Sequence, residues 1–216
     1  TMGKMKILNL YACLGGNRYK WDDVTDVDVT AVEYDEELAK LYQERFPNDT
    51  VVVADAHQYL LDNYSRFDMI WSSPPCPTHS RSRFARRNTT TPAFPDMKLY
   101  QEIIFLEKWF EGKYVVENVI PYYDPLIPAK KRGRHLYWTN FNLPNVLSER
   151  ESPDMENIRG YKLWSDFHDF DFGKYKGKQL RIKIARNLVD YEAGKTILET
   201  ALGIIKNKNV NQLSLI

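Results

Sequence analysis

Cysteine is nearly absent from this chain, occurring only at positions 13 and 76 among 216 residues. Two thiols so far apart offer no disulfide framework, and no apolar run approaches the roughly twenty residues of a membrane span. A cleavable apolar leader is also lacking. These absences predict a reduced, soluble chain in the cytoplasm, near the nucleoid if prokaryotic, with no membrane partner and no metal site. Neither sign of charge is in excess: 30 Lys and Arg face 29 Asp and Glu, for a formal net charge of +1. Affinity for a polyanion therefore has to come from local clustering. The length allows one domain with a full core and is too short for two ordinary ones. No Gly-x-Gly-x-x-Gly and no phosphate-gripping lysine follow a strand, so a dinucleotide or ATP site lacks its physical basis.

What is present is alternation. Short apolar runs rich in β-branched and aromatic residues read as strands: KILNLYA (6–12), VTAVEYD (29–35), TVVVADA (50–56), FDMIWSS (67–73), KYVVENV (113–119) and HLYWTNF (135–141). Helical patterns lie between several of them. EELAKLYQERF follows the second run, and MKLYQEIIFLEKWFEG precedes the fifth, with Leu99, Ile103, Leu106 and Phe110 three or four apart. EAGKTILETALGIIK (192–206) reads as a final amphipathic helix and NKNVNQLSLI as a frayed tail. This alternation predicts an α/β chain with a doubly wound, mostly parallel sheet. Ligands of such sheets sit beyond the carboxyl ends of the strands, which makes the residues just after each run the candidates.

After KILN the chain reads LYACLGG. Gly15 and Gly16 allow a tight turn and close approach of a ligand to the backbone, although a glycine pair after a strand is commonly a turn and nothing more. Glu33 ends the second run, where a carboxylate suits a ribose diol or serves as an exposed helix cap. Asp55 ends the third, placed either to accept from an adenine amino group or to N-cap the next helix. Together they favour a nucleoside without a phosphate chain. After the fourth run, SSPPC places Cys76 at the sheet rim on a turn stiffened by two prolines. A lone cysteine is usually a small buried hydrophobe. A rigid rim thiol near a helix N-terminus or an arginine would instead favour the nucleophilic thiolate. Cys13, within the glycine turn, reads as packing.

LYACLGG, Glu33, Asp55, SPPC, VVENV and a late ARNLV occur in the order of the motifs of the cytosine-C5 DNA methyltransferases, and the chain resembles that family in scattered blocks from residue 6 to 189. The resemblance implies the Rossmann-like fold of S-adenosylmethionine-dependent methyltransferases, S-adenosyl-L-methionine as cofactor, and duplex DNA with a flipped cytosine as partner. It implies cofactor contacts from Tyr11, Ala12, Cys13, Leu14, Gly15, Gly16, Glu33, Tyr34, Asp55, Ala56, Pro75 and Asn187. Cys76 would add to cytosine C6 and activate C5. Glu117 would hydrogen-bond the N3 and N4 edge and supply a proton, and Asn118 would brace the loop. The basic segment after Cys76 then reads as a DNA contact, through Ser80, Arg81, Arg83, Arg86 and Arg87, with His79, Ser82 and Thr89 to Thr91 as further donors to phosphate. NTTTPAFPD looks mobile enough for this loop to close over DNA, as it does in similar enzymes.

The chain departs from the family pattern in three places. Pro77 follows the catalytic cysteine where Gln is usual. KRGRHLYWTNF stands in place of Gln-x-Arg-x-Arg, which leaves Arg134 and His135 as substitute base-holding catalytic residues. Residues 142–179 form a reduced target-recognition or lid segment set into a catalytic domain of residues 1–141 and 180–210. Its Trp164, Phe167, His168, Phe170 and Phe172 favour a packed lid over a compact base-reading module. So short a segment predicts a recognised site of about two to four base pairs, or a protein partner or dimer that supplies the missing surface. Three other readings remain: an amino-methyltransferase, which also carries Ser-Pro-Pro but wants an aromatic where Cys76 stands; a non-catalytic nucleic-acid-binding relative; and an RNA-directed member of the same family.

Overall fold

The computed structural model describes residues 3–148, 150–153 and 160–204. Strand β1 (Met5–Leu10) lies inside the sheet between β2 (Val27–Glu33) and β4 (Met69–Ser72), both parallel to it. Outside these, β3 (Thr50–Val53) pairs with β2 and β5 (Lys113–Val119) with β4, again in parallel. An edge hairpin completes the sheet: β7 (His135–Thr139) runs antiparallel to β5, and β6 (Lys130–Arg132) antiparallel to β7. The order is β3-β2-β1-β4-β5-β7-β6. All six expected strands are present, and the doubly wound, mostly parallel sheet is as expected. β6 is the addition. Its sequence, Lys-Lys-Arg, has no apolar alternation and pairs only because β7 is beside it.

Residue parity assigns the faces. Leu8, Leu10, Ile70 and Val116 point to one side, where Leu60 and the apolar stripe Leu99, Ile103, Leu106 and Phe110 cover them. These belong to α2 (Ala56–Asn63) and to α4 (Lys98–Trp109) with its C-cap. Ile7, Val29, Met69, Trp71 and Val115 point to the other side, against Ala193, Ile197 and Leu198 of α7 (Tyr191–Ala201). Tyr42 of α1 (Glu36–Arg45) and Phe46 beyond it pack on Ala31. With helices on both faces, the parallel strands can be near-continuous apolar runs. The described residues also form α3 (Arg81–Ala85), α5 (Tyr161–His168) and α6 (Arg181–Asn187). The last helix starts at Tyr191 and ends at Ala201, short of the expected 206. Residues 205 and 206 and the expected tail lie outside the described residues, as does the 205–210 part of the expected catalytic domain. Among the described residues no helix is long and apolar enough to cross a membrane.

The loop after β1 is held from below by a buried ion pair. Arg18 donates to both oxygens of Asp49 at 2.9 Å, Tyr42 donates to the same carboxylate at 2.8 Å, and both charged side chains are almost fully buried. Gly194 lets α7 approach this loop, since a Cβ there would lie 2.2 Å from the Asn17 carbonyl. Arg18 also donates to Asp22 at 2.7 Å, an acid that is largely exposed. Breaking a buried pair typically costs about 3–5 kcal/mol, and Asp22 retains part of the pairing. Asp49→Ala is therefore expected to lose up to about 3 kcal/mol in urea unfolding. A loss below about 1 kcal/mol would show that Asp22 and water satisfy Arg18 without Asp49.

Candidate functional site

Beyond the carboxyl ends of the parallel strands lies a cleft of about 530 Å³, within the usual range for small-molecule sites. Tyr11, Cys13, Glu33, Tyr34, Asp55, Ala56, Pro75 and Asn187 line it, and so do Cys76, Glu117, Asn118 and His135. Four expected cofactor residues do not. Ala12 and Leu14 are buried in the core, Gly15 is closed over by Phe46, 2.5 Å from where a Cβ would stand, and Gly16 by the Val189 carbonyl at the same distance. The glycine pair thus serves close packing within the protein rather than approach of a ligand. Arg134 is also outside the cleft, lining a separate cavity of about 180 Å³ with Arg150, Trp164 and Phe167, into which His135 also reaches.

Carboxylates shape the upper wall. Tyr11 and Cys13 hold left-handed backbone, at φ 57 and 49, a conformation costly for a residue with a side chain. Glu33 fixes the second of these by accepting from the Cys13 amide at 2.8 Å, and with its other oxygen from the Asp35 amide at 2.9 Å. Burial pushes the Glu33 carboxyl up from its ordinary value despite those amides. Each carboxylate oxygen has two acceptor sites, so the outer pair remains suited to a diol. Asp55 caps α2 through Oδ1 alone, accepting from the His57 and Gln58 amides at 2.9 and 3.2 Å. Asp55 is thus the N-cap that the sequence allowed, and it also lines the cleft. Tyr34 stands 79% exposed at the cleft edge, an open aromatic face. Asp35, Leu38 and Gln179 also line the wall, and Gln179 reaches it by donating to Asp35 at 2.9 Å.

Glu102 of α4 has no counterpart in the sequence reading. Fully buried, it accepts from Tyr11 Oη and Ser72 Oγ, each at 2.6 Å, and meets His57 Nδ1 at 2.9 Å. The contact with Glu102 pushes His57 up from its ordinary value, outweighing burial. One signal was available: Glu102 falls three residues after Leu99 and four before Leu106, a carboxylate on the apolar face of the helix.

The lower wall carries the thiol. Cys76 follows β4, Glu117 lies near the end of adjacent β5, and Asn118 Nδ2 donates to the Pro74 carbonyl at 2.9 Å, tying the two loops together. Glu117 is buried, with Oε1 3.6 Å from His135 Nε2. The sequence reading expected a helix N-terminus or an arginine to favour the thiolate. The environment acts the other way: burial first, then the charge of Glu117, push the Cys76 thiol up from 9.0, and Lys183 offsets this only slightly. Burial and Glu33 push Cys13 up as well, in keeping with its reading as packing.

The basic segment is bound to its own backbone and to the loop after β5. Ser80 caps α3 by accepting from the Ser82 amide at 3.2 Å. Arg81 Nε donates to the Pro121 carbonyl at 3.0 Å, Arg83 to the Thr91 carbonyl at 2.7 Å and Arg86 Nε to the Ser82 carbonyl at 3.3 Å. Arg87 lies over the Phe84 ring. His79 is not a phosphate donor: it is fully buried against Tyr123 at 2.6 Å, and burial pushes its imidazole down, towards the neutral form.

The family model for C-5 cytosine-specific DNA methylases matches residues 5–120, just over half of the chain. The chain belongs to that family. Among curated proteins none matches it. Among solved structures, a Haemophilus influenzae protein described as a methylase is 18% identical at a TM-score of 0.45, over 63% of this chain and 85% of its own. A SAM-dependent methyltransferase from Agrobacterium tumefaciens is 14% identical at 0.41, over 60% of this chain and 42% of its own. An Escherichia coli prophage protein described as a DNA modification methyltransferase is 18% identical at 0.40, over 63% of this chain and 46% of its own. This methylase chain thus spans less than half the length of the latter two. Its sheet, with the antiparallel β7 inserted between β5 and β6, has the strand order of S-adenosylmethionine-dependent methyltransferases. Membership of the methylase family carries S-adenosylmethionine as cofactor and DNA as substrate.

Two outcomes follow from these contacts. Because a nearby negative charge disfavours the thiolate, Glu117→Gln should speed iodoacetamide alkylation of Cys76 several-fold at pH 8, read site by site by mass spectrometry. A slower or unchanged rate would mean that Glu117 does not act on the thiol. Glu102→Ala leaves two buried hydroxyls without an acceptor, a cost of about 1–3 kcal/mol each. S-Adenosylhomocysteine binding by calorimetry should weaken at least about tenfold, and unchanged affinity would detach Glu102 from the cleft.

Proposed function

We propose that the chain transfers a methyl group from S-adenosylmethionine to C5 of a cytosine flipped out of DNA, through a covalent bond between Cys76 and C6. The observation that carries this reading is that Cys76 and Glu117, on adjacent strand ends, share one cleft with Glu33 and Asp55. The donor set suits the cofactor: Glu33 would take the ribose hydroxyls, Asp55 Oδ2 the adenine amino group, and Tyr34 would lie along the base. When bound there, S-adenosylmethionine supplies an electrophilic methyl group.

Cytosine C5 is too weak a nucleophile to take that methyl unaided. Cys76 Sγ, once deprotonated, forms a bond to C6 and drives an electron pair toward C5, while Glu117 donates a proton at N3. Once C5 carries the methyl group, its proton leaves to water or a nearby base, the S–C6 bond breaks to release Cys76 as the thiolate, and N3 returns its proton to Glu117. The charge of Glu117 that keeps the thiol protonated disappears when Glu117 carries the proton meant for N3. Ionisation of the nucleophile is thereby coupled to readiness of the acid. Asn118 holds the cysteine loop against the Glu117 strand, and His135 steadies the Glu117 carboxylate.

Arg81, Arg83, Arg86 and Arg87 would grip phosphates beside the cleft. Residues 142–179 would act as a small lid, with part of the sequence readout supplied by a partner or second copy. That second reading is favoured by the inward packing of the segment: Trp164, Phe172 and Tyr175 are buried with Leu14, Leu38 and Leu188 rather than turned outward.

Purified protein incubated with S-adenosylmethionine and unmethylated genomic DNA should produce 5-methylcytosine, measured as nucleosides by mass spectrometry. Cys76→Ser should abolish it, and Glu117→Gln should reduce it by about 10² or more. N4-methylcytosine or N6-methyladenine as the product would replace this reading with the amino-methyltransferase one. A recognised site of about six base pairs or more by bisulfite sequencing would remove the need for a partner.

A further inference from the structure

Just past Cys76 the chain builds an aromatic ladder that the reaction above does not use. Phe84 of α3 lies flat against Tyr122, ring centroids 4.6 Å apart and planes within 5° of parallel. The Arg87 guanidinium sits 5.0 Å from the Phe84 centroid, and Tyr123 meets Tyr122 edge-on at 5.1 Å. The ladder is fastened to both catalytic loops. Ser80 bridges to Pro121, the Tyr122 amide donates to the His79 carbonyl at 3.1 Å, and Arg81 Nε donates to the Pro121 carbonyl at 3.0 Å. The Cys76 carbonyl accepts from the His79 and Ser80 amides at 3.0 and 3.1 Å. The Ser80 carbonyl in turn accepts from the Phe84 amide at 3.1 Å, so the ladder begins two turns from Cys76.

A stack made only for packing would be covered, yet Phe84 is 45% exposed and Arg87 is open to solvent. Among the described residues no acidic side chain pairs with Arg81, Arg83, Arg86 or Arg87. An exposed stack carrying the Arg87 guanidinium over its ring, with Arg81 and Arg83 on the same helix and Arg86 at its C-cap, matches a ligand that is planar and carries negative charge nearby. An acidic peptide would answer the charge and leave the ladder bare. Nucleobases stack on aromatic rings and on guanidinium planes with little regard to sequence, while arginines take the adjoining phosphates.

We infer that the Tyr122–Phe84–Arg87 ladder is a stacking site for an unpaired nucleobase of the bound DNA, distinct from the pocket of the reacting cytosine. The inference rests on the DNA reading above. Extruding one base leaves its neighbours and its former partner unstacked. A platform two turns from the nucleophile offsets part of that cost and widens the grip on distorted DNA without a large recognition domain.

The test compares a mixed-sequence duplex carrying a single 2-aminopurine bulge with the same duplex fully paired, by fluorescence anisotropy. The protein should bind the bulged duplex about tenfold more tightly, with quenching of 2-aminopurine, as stacking on one aromatic surface provides. Phe84→Leu keeps apolar volume without a ring. It should bind both duplexes equally, without quenching, at the paired-duplex affinity of the unmodified protein and with S-adenosylhomocysteine binding intact. Arg83→Ala should weaken both duplexes alike and leave the preference in place. Equal binding of the two duplexes by the unmodified protein, or a preference that survives Phe84→Leu, would overturn the stacking site and leave the DNA reading standing. Binding to neither duplex would overturn both.

Discussion

Three hydrogen bonds converge on one buried carboxylate, Glu102, from three different parts of the chain: Tyr11 after β1, Ser72 at the end of β4 and His57 at the start of α2. Each donor stands where its element turns into the cleft. Parallel strands end with unpaired backbone and loops free to splay, and hydrophobic packing below them does not specify where those loops go. A shared acceptor does, because leaving any donor unmet in the interior costs more than the bond gains. Glu33 repeats the device one strand over, joining the Cys13 and Asp35 amides. The cleft is thus held open by carboxylates, and the glycines packed behind it let aromatic side chains close in.

The same preference for buried acids sets the resting state of the thiol. Burial and Glu117 both keep Cys76 protonated, so its rigid setting positions the sulfur without activating it. The two neighbouring loops are tied together by Asn118 to Pro74 and by Ser80 to Pro121. Whatever contacts α3 therefore bears on both Cys76 and Glu117.

The segment after β7 plays a different part from its position in the sequence. Trp164, Phe172 and Tyr175 close the core below the glycine turn, and Arg150 anchors the segment by donating to Asp190 at 2.8 Å and to Tyr191 Oη at 2.8 Å while lying over the Tyr191 ring. Side chains committed to packing and to ion pairs cannot also reach into a DNA groove. On the proposed reading, contact with DNA falls instead to the arginines of α3 and the turn after it.

Much of this was legible before the fold was seen. Short β-branched apolar runs and three-to-four spacing are local properties, and they determined the parallel strands, α1, α4 and α7. Chain order alone placed Glu33, Asp55, Cys76 and Glu117 at strand ends, because every parallel strand of a doubly wound sheet delivers its last residue to one edge. Contacts between distant segments were not legible. That Gly15 and Gly16 serve Phe46 and Val189, that Glu102 collects three donors, that His79 is buried and that Glu117 raises the Cys76 thiol all depend on which surfaces meet. β6 shows the same limit, since Lys130–Arg132 becomes a strand only beside β7. Periodicity and chain order determined the edge where chemistry can occur; packing decided the charge, burial and partners of each group there, because those are properties of neighbours that sequence distance does not encode.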